Sequence, residues 1–307
     1  MRGLVNAHTH LELTALGGTL PENVPFLEWI TALVAMRRGF SDAEIMRGIE
    51  RGIQTLVDTG TVAVGDITAS GLSVEPLLHS GLAGTVFLEV LGREREPALE
   101  RLAAAQRRVT SWRAREGRMR VGLSVHAPYS CHSDLFCAAA DWCEAEQVPL
   151  AIHIAESPAE AQYLRDGTGP FAEFSARLFP HLPQAVATGF TSVGYLESLD
   201  VLHVRPLLFH GVEVTEEDLL LLKQHGCAMV HCPRSNQRLL CERMPLERYL
   251  HHGIPVALGT DSLASAPSLD LREEIDAAVA LHGTRVSREA LEAIATTGGA
   301  RALGIET

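Results

Sequence analysis

Along the 307 residues of the chain, short runs of apolar and β-branched residues alternate with longer stretches whose apolar positions recur every three or four residues. The short runs predict eight strands: GLVNAH (3–8), TVAVGDI (61–67), LAGTVFLEV (82–90), RVGLSVHA (120–127), PLAIHIA (149–155), RPLLFHG (205–211), CAMVHC (227–232) and IPVALGTD (254–261). The longer stretches predict helices, among them 42–58, 94–116, 133–147, 215–225 and 270–282. Nearly continuous apolar strands separated by helices are the pattern of a parallel sheet covered on its outer face. Eight such units in one chain predict an α/β protein with a single (β/α)8 barrel over 1–307. An open doubly wound sheet would ordinarily carry a phosphate loop. The nearest candidate, GTGPFA at 167–172, follows a helical stretch and reads as a loop. The stretch 166–203, in the long connection between strands 5 and 6, predicts an insertion over the C-terminal mouth of the barrel, facing the substrate.

Composition narrows the function. A net charge of −12 argues against a nucleic-acid partner, which would call for clustered cations, and favours a small-molecule substrate. Only one of the 26 basic residues is a lysine, Lys223, so a Walker A loop, a lysine Schiff base elsewhere and a lysine-bridged metal pair are excluded. No apolar run is long enough for a membrane span and the N-terminus has no signal pattern, which predicts a cytoplasmic protein without membrane partners. Its six cysteines form no C-x-x-C pair and read as buried free thiols.

The chemistry gathers at strand ends. In NAHTH, His8 and His10 are two residues apart and share one face of an extended strand. Two adjacent imidazoles either repel as cations or share a divalent metal as neutral ligands. LSVHA ends strand 4 with His126, AIHIA brings His153 to the end of strand 5, LLFHG ends strand 6 with His210, and ALGTD ends strand 8 with Asp261. Each alone reads as a hydrogen-bonded core group or a helix cap. Together, on the C-terminal face of one barrel, they predict a mononuclear metal site.

In this order, NAHTH, HAPYS, HIAES, FHG, HCPRSN and LGTDSLAS resemble the amidohydrolase superfamily, and within it the metal-dependent deaminase and chlorohydrolase branch. NAHTHLEL, HIAES and CPRSN are most similar to aminodeoxyfutalosine deaminases of menaquinone biosynthesis. The resemblance implies that His8, His10, His153 and Asp261 hold one Zn²⁺ or Fe²⁺, that His210 orients the attacking water, with Asp261 and His210 accepting or positioning its proton, and that His126 faces the substrate. Family habit implies a homodimer. The β-sandwich that usually flanks such barrels is largely absent from the sequence.

Glu156, three residues after His153, sits where a carboxyl can move protons between water, a ring nitrogen and a departing amine; its plain alternative is a first-turn helix glutamate. Relatives acting on methylthioadenosine carry a ribose-binding glutamate about 29 residues past the first ligand, where this chain has LVAMRRGF and Arg37. Arg37 and Arg234 of CPRSN are therefore expected to bind an anionic substrate group. The expected activity is hydrolytic deamination of an adenine-like nucleoside, preferentially 6-amino-6-deoxyfutalosine, whose benzoate supplies that anion. The alternatives are another aminopurine nucleoside, a triazine with a chloro or alkylamino leaving group, and an inactive metal-bearing binding protein.

Overall fold

The computed structural model describes residues 3–182 and 187–305. Its strands are β1 (Leu4–Thr9), β2 (Thr61–Thr68), β3 (Ala83–Val90), β4 (Met119–Val125), β5 (Leu150–Ile154), β6 (Leu207–His210), β7 (Ala228–His231) and β8 (Val256–Leu258). They pair in parallel in chain order from β1 to β8. A parallel bridge between Thr9 and Asp261, with the Asp261 N–H donating to the His8 carbonyl at 3.0 Å, brings the last strand back to the first. The eight-stranded barrel expected from the sequence is the architecture observed. Closure depends on Gly259, where a Cβ would lie 2.6 Å from the Cβ of His8.

Alternation along the strands separates the two faces of the sheet. Ala151, Phe209, Val230 and Ala257 belong to one buried cluster, whereas Leu150, Ile152, Leu208, Met229 and Leu258 belong to a larger one shared with the helices. His153 has the parity of Ala151, which turns it to the inner face. Strand β8 is shorter than its apolar run, because the chain leaves the extended conformation before Asp261, where φ is +58°.

The helix expected over 42–58 is Asp42–Asp58, started by a capping box between Ser41 and Glu44. Those expected over 94–116, 133–147, 215–225 and 270–282 run Arg95–Arg113, Ser133–Glu146, Glu216–His225 and Leu271–His282. The insertion contributes helices Pro170–Leu178 and Ser192–Ser198, and its residues 183–186 lie outside the described residues. GTGPFA is only partly a loop: Pro170 opens a helix, since its fixed φ suits the first helical turn. All six cysteines are free, with Cys137 and Cys241 half-buried and the other four buried. No described helix is long and apolar enough to cross a membrane.

Candidate metal centre and substrate cavity

His8 lies in β1 and His10 just past its end, and their rings meet edge to face with centroids 4.9 Å apart. His8 is fully buried, stacks on Phe209 and leaves both ring nitrogens without a hydrogen-bond partner. His10 Nε2 and His153 Nε2 lie 3.2 Å apart. Asp261 Oδ1 is 3.6 Å from Nε2 of both His8 and His10. The other carboxylate oxygen accepts bonds from Ser235 Oγ at 2.6 Å and Ser265 Oγ at 2.8 Å, which aims Oδ1 at the histidines. Burial holds the imidazoles of His8 and His153 well below their ordinary pKa and lowers that of His10. Neutral imidazoles whose lone pairs converge on a carboxylate are the donor set a divalent cation requires, and its charge would relieve the lone-pair repulsion. His8, His10 and His153 bring ligand atoms within 4.8 Å of one another, as do His8, His210 and Asp261.

Glu156 follows β5 and is buried, with Oε1 3.5 Å from His210 Nε2. Its carboxyl is held well above the usual carboxylate range, first by burial and then by the neighbouring carboxylates of Asp261 and Glu160. His210 places Nδ1 2.9 Å from Asn236 Oδ1; with the amide so oriented, Nδ1–H donates and Nε2 keeps its lone pair toward Glu156. His126 stands just beyond β4, with Nδ1 2.6 Å from Ser130 Oγ, and burial pushes it down to about 3. Backbone strain collects at this end of the barrel: Ala155, His210 and Asp261 all have φ between +52° and +73°. Glu160 holds the turn at Ala155 by accepting the Ala155 and Glu156 amides at 2.8 and 3.0 Å.

These groups floor a cavity of about 1000 Å³ whose lining includes His10, His126, His153, Glu156, His210 and Asp261. One wall is aromatic, with Tyr129 stacked on Phe171 at 4.1 Å and Phe26 and Trp29 beside them. Phe171, Phe174, Ser175, Arg177, Leu178 and Phe179 of the insertion line the same space.

The two arginines expected to meet substrate stand elsewhere. Arg37 is not among the lining residues, and its guanidinium donates to the Phe40 carbonyl at 3.3 Å; its neighbour Arg38 faces the cavity. Arg234 is consumed by structure. It donates to Glu274 at 2.5 Å, to Glu273, and to the hydroxyl and carbonyl of Ser268, fastening the segment after β7 to the helix Leu271–His282. The arginines that do line the cavity are Arg38, Arg93, Arg101, Arg108 and Arg177, and among the described residues none is within 4 Å of a carboxylate.

Sequence reasoning also passed over Glu89, at the end of β3, which lines the cavity and is pushed up to about 8 by burial. Its only signal was a carboxylate near the C-terminal end of a barrel strand, LEV. Asn236 and Ser235 were in plain view within CPRSN, but only the fold shows that they reach His210 and Asp261.

Comparison with known proteins agrees with this geometry. Residues 1–307 match the model of the amidohydrolase family. The chain is 36% identical to the aminodeoxyfutalosine deaminase of Deinococcus radiodurans, over 99% of this chain and 73% of the relative. It is 28% identical to the 5-methylthioadenosine/S-adenosylhomocysteine deaminase of Syntrophobacter fumaroxidans, over 99% and 67%. In structure it resembles the Helicobacter pylori aminofutalosine deaminase crystallised with methylthio-coformycin, with a TM-score of 0.83 and 26% identity over 98% of this chain and 74% of that one. An eight-stranded barrel with its histidines and aspartate at the C-terminal mouth, matched over its whole length by one family, makes the chain a member of the amidohydrolase family.

Proposed function

We propose that the protein is a metal-dependent hydrolytic deaminase of an adenine-like nucleoside that bears a carboxylate, with 6-amino-6-deoxyfutalosine as its preferred substrate. The observation that carries this reading is the polarity of the cavity: carboxyl and imidazole groups at the floor, and five arginines without carboxylate partners around the rest of the lining. An aminopurine fits the first end and a benzoate the second.

His8, His10, His153 and Asp261 would hold the ion, with zinc the best match to three imidazoles and one carboxylate. When bound there, it supplies the Lewis acidity that makes water nucleophilic at neutral pH. The Nε2 lone pair of His210, fixed by Asn236, orients the attacking water and takes up its proton. Glu156, whose hold on its proton burial strengthens, gives that proton to the ring nitrogen as oxygen adds to the amidine carbon; its carboxylate then takes the remaining proton of the added oxygen and passes it to the amine, which leaves as ammonia, and the proton held by His210 returns to Glu156. His126, which lines the same cavity, would face the base, and the insertion helix Pro170–Leu178, which also lines it, would limit water.

The test is ammonia release by the purified, zinc-loaded protein across a panel of aminopurine nucleosides and a chlorotriazine. The expected result is at least about tenfold higher kcat/KM on the benzoate-bearing nucleoside than on adenosine. Equal rates on both would return the protein to the general aminopurine deaminases, and chloride release alone would overturn deamination.

A further inference from the structure

His153 brings Nε2 to the other ligands, where it lies 3.2 Å from His10 Nε2. An imidazole that gives its Nε2 lone pair to a cation must carry its proton on Nδ1. That nitrogen is buried and has no hydrogen-bond partner. Facing it at 3.8 Å is Glu89 Oε1, itself buried and without a partner. The two orphaned atoms come from adjoining parts of the barrel mouth, one at the end of β3 and one in β5, and Glu89, His126 and His153 bring their ligand atoms within 4.8 Å of one another. His126 does not compete for the Glu89 oxygen through Nδ1, which is occupied by Ser130 Oγ.

We propose that Glu89 is a positioning residue for the metal centre: its carboxyl oxygen accepts the His153 Nδ1–H, fixing the tautomer and ring orientation that leave Nε2 free for the ion. The inference rests on the metal site proposed above, and it asks that the side chains close a gap of less than one ångström to a normal hydrogen bond. A carboxylate behind a ligating imidazole raises its basicity, and removing such a partner costs roughly 10- to 100-fold in metal affinity. Glu89 carries no proton to or from substrate in this role.

The experiment compares Glu89→Met, which keeps the volume and loses the acceptor, with Glu89→Gln, which keeps an acceptor oxygen. Zinc affinity is read by chelator competition, with one-equivalent stoichiometry in the parent protein checking the metal site separately. The expected result is a loss of at least about tenfold in Glu89→Met and less than about threefold in Glu89→Gln. Unchanged affinity in Glu89→Met with a raised KM would make Glu89 a substrate contact and overturn the proposal. Equal losses in both variants would show that charge, and no acceptor geometry, is at work. Two tightly bound zinc ions in the parent would assign Glu89 to a second metal. Should Glu89→Met not fold, the zinc-loaded parent labelled with ¹⁵N-histidine decides: His153 must carry its proton on Nδ1, and a spectrum placing it on Nε2 overturns the proposal.

Discussion

The floor and the walls of the cavity are built on different principles. At the floor, His8, His153, His210 and Asp261 come from strand ends or the residues just after them, and each has a fixed partner or a shared focus: Phe209 beneath His8, Asn236 behind His210, Ser235 and Ser265 behind Asp261. The walls are made by Phe26, Trp29 and Arg38 from the stretch after β1, Arg101 and Arg108 from the helix after β3, and Phe171 and Arg177 from the insertion. Several of these side chains are held loosely: Arg177 lies over the Phe174 ring at 5.5 Å, and Arg38 makes no hydrogen bond among the described residues. Under the proposed function, sheet register would place the chemistry and the surrounding helices would choose the substrate.

The largest effects should come from the floor. His153→Ala removes a ligand and should abolish stoichiometric metal binding together with activity, measured by elemental analysis and ammonia release. Glu156→Gln should keep metal and fold while losing on the order of 10² to 10⁴ in kcat. Near-full activity in that variant would reduce Glu156 to a structural glutamate and remove the division of labour drawn above.

Arg234 separates scaffold from wall. Arg234→Ala strands the buried Glu274 carboxyl, which burial already pushes up to about 7, and should cost about 3 to 5 kcal/mol in urea unfolding without altering substrate preference. Unchanged stability with a raised KM for the carboxylate substrate would put Arg234 back among the binding groups. In the wall, replacing Arg38 and Arg177 together by alanine should narrow the preference for the benzoate-bearing nucleoside over adenosine by about tenfold. Arg37→Ala should leave that ratio unchanged.

Arg37 and Arg38 show why the floor was legible in the sequence and the walls were not. A strand has period two, so His8 and His10 declare a shared face from spacing alone, and the same alternation carries His153 inward. A helix turns about 100° per residue, so an offset of one position exchanges a cavity-lining arginine for one that bonds the Phe40 carbonyl. The helix Phe26–Arg37 escaped prediction because, although Phe26, Trp29, Ile30, Leu33 and Val34 recur at helical spacing and all line the cavity, Leu27 and Ala32 carry apolar residues onto its other faces and blur the stripe. Arg234 was misread because its motif identifies the segment correctly but cannot say that Glu273 and Glu274, some 40 residues on, consume its guanidinium.

A final prediction tests whether the rigidity of the floor carries a cost in stability. Asp66 in β2 holds the segment bearing His10: one carboxyl oxygen accepts Leu11 N–H and Thr9 Oγ–H at 2.8 Å each, and the other pairs with Ser73 Oγ at 2.6 Å. Burial outweighs those bonds and raises its carboxyl from 3.8 to about 7. Between these values the folded chain keeps a proton that the unfolded chain has released, so the contribution is full below pH 3.8 and is lost as pH rises through about 7. A neutral carboxyl donates to Ser73 and still accepts from Thr9 and Leu11, and an asparagine can do the same. Asp66→Asn should therefore match the parent's stability near pH 4 and exceed it increasingly toward pH 7, by up to about 1 kcal/mol per pH unit. The comparison is made on metal-free protein by urea unfolding, where the difference between the two curves isolates this one group from every other titration. Curves that diverge the other way would mean that Asp66 is ionised in the folded chain and that its three donors outweigh burial. In that case the floor is held by charge, and Asp66→Asn should instead lower stability at every pH above the ordinary carboxylate range.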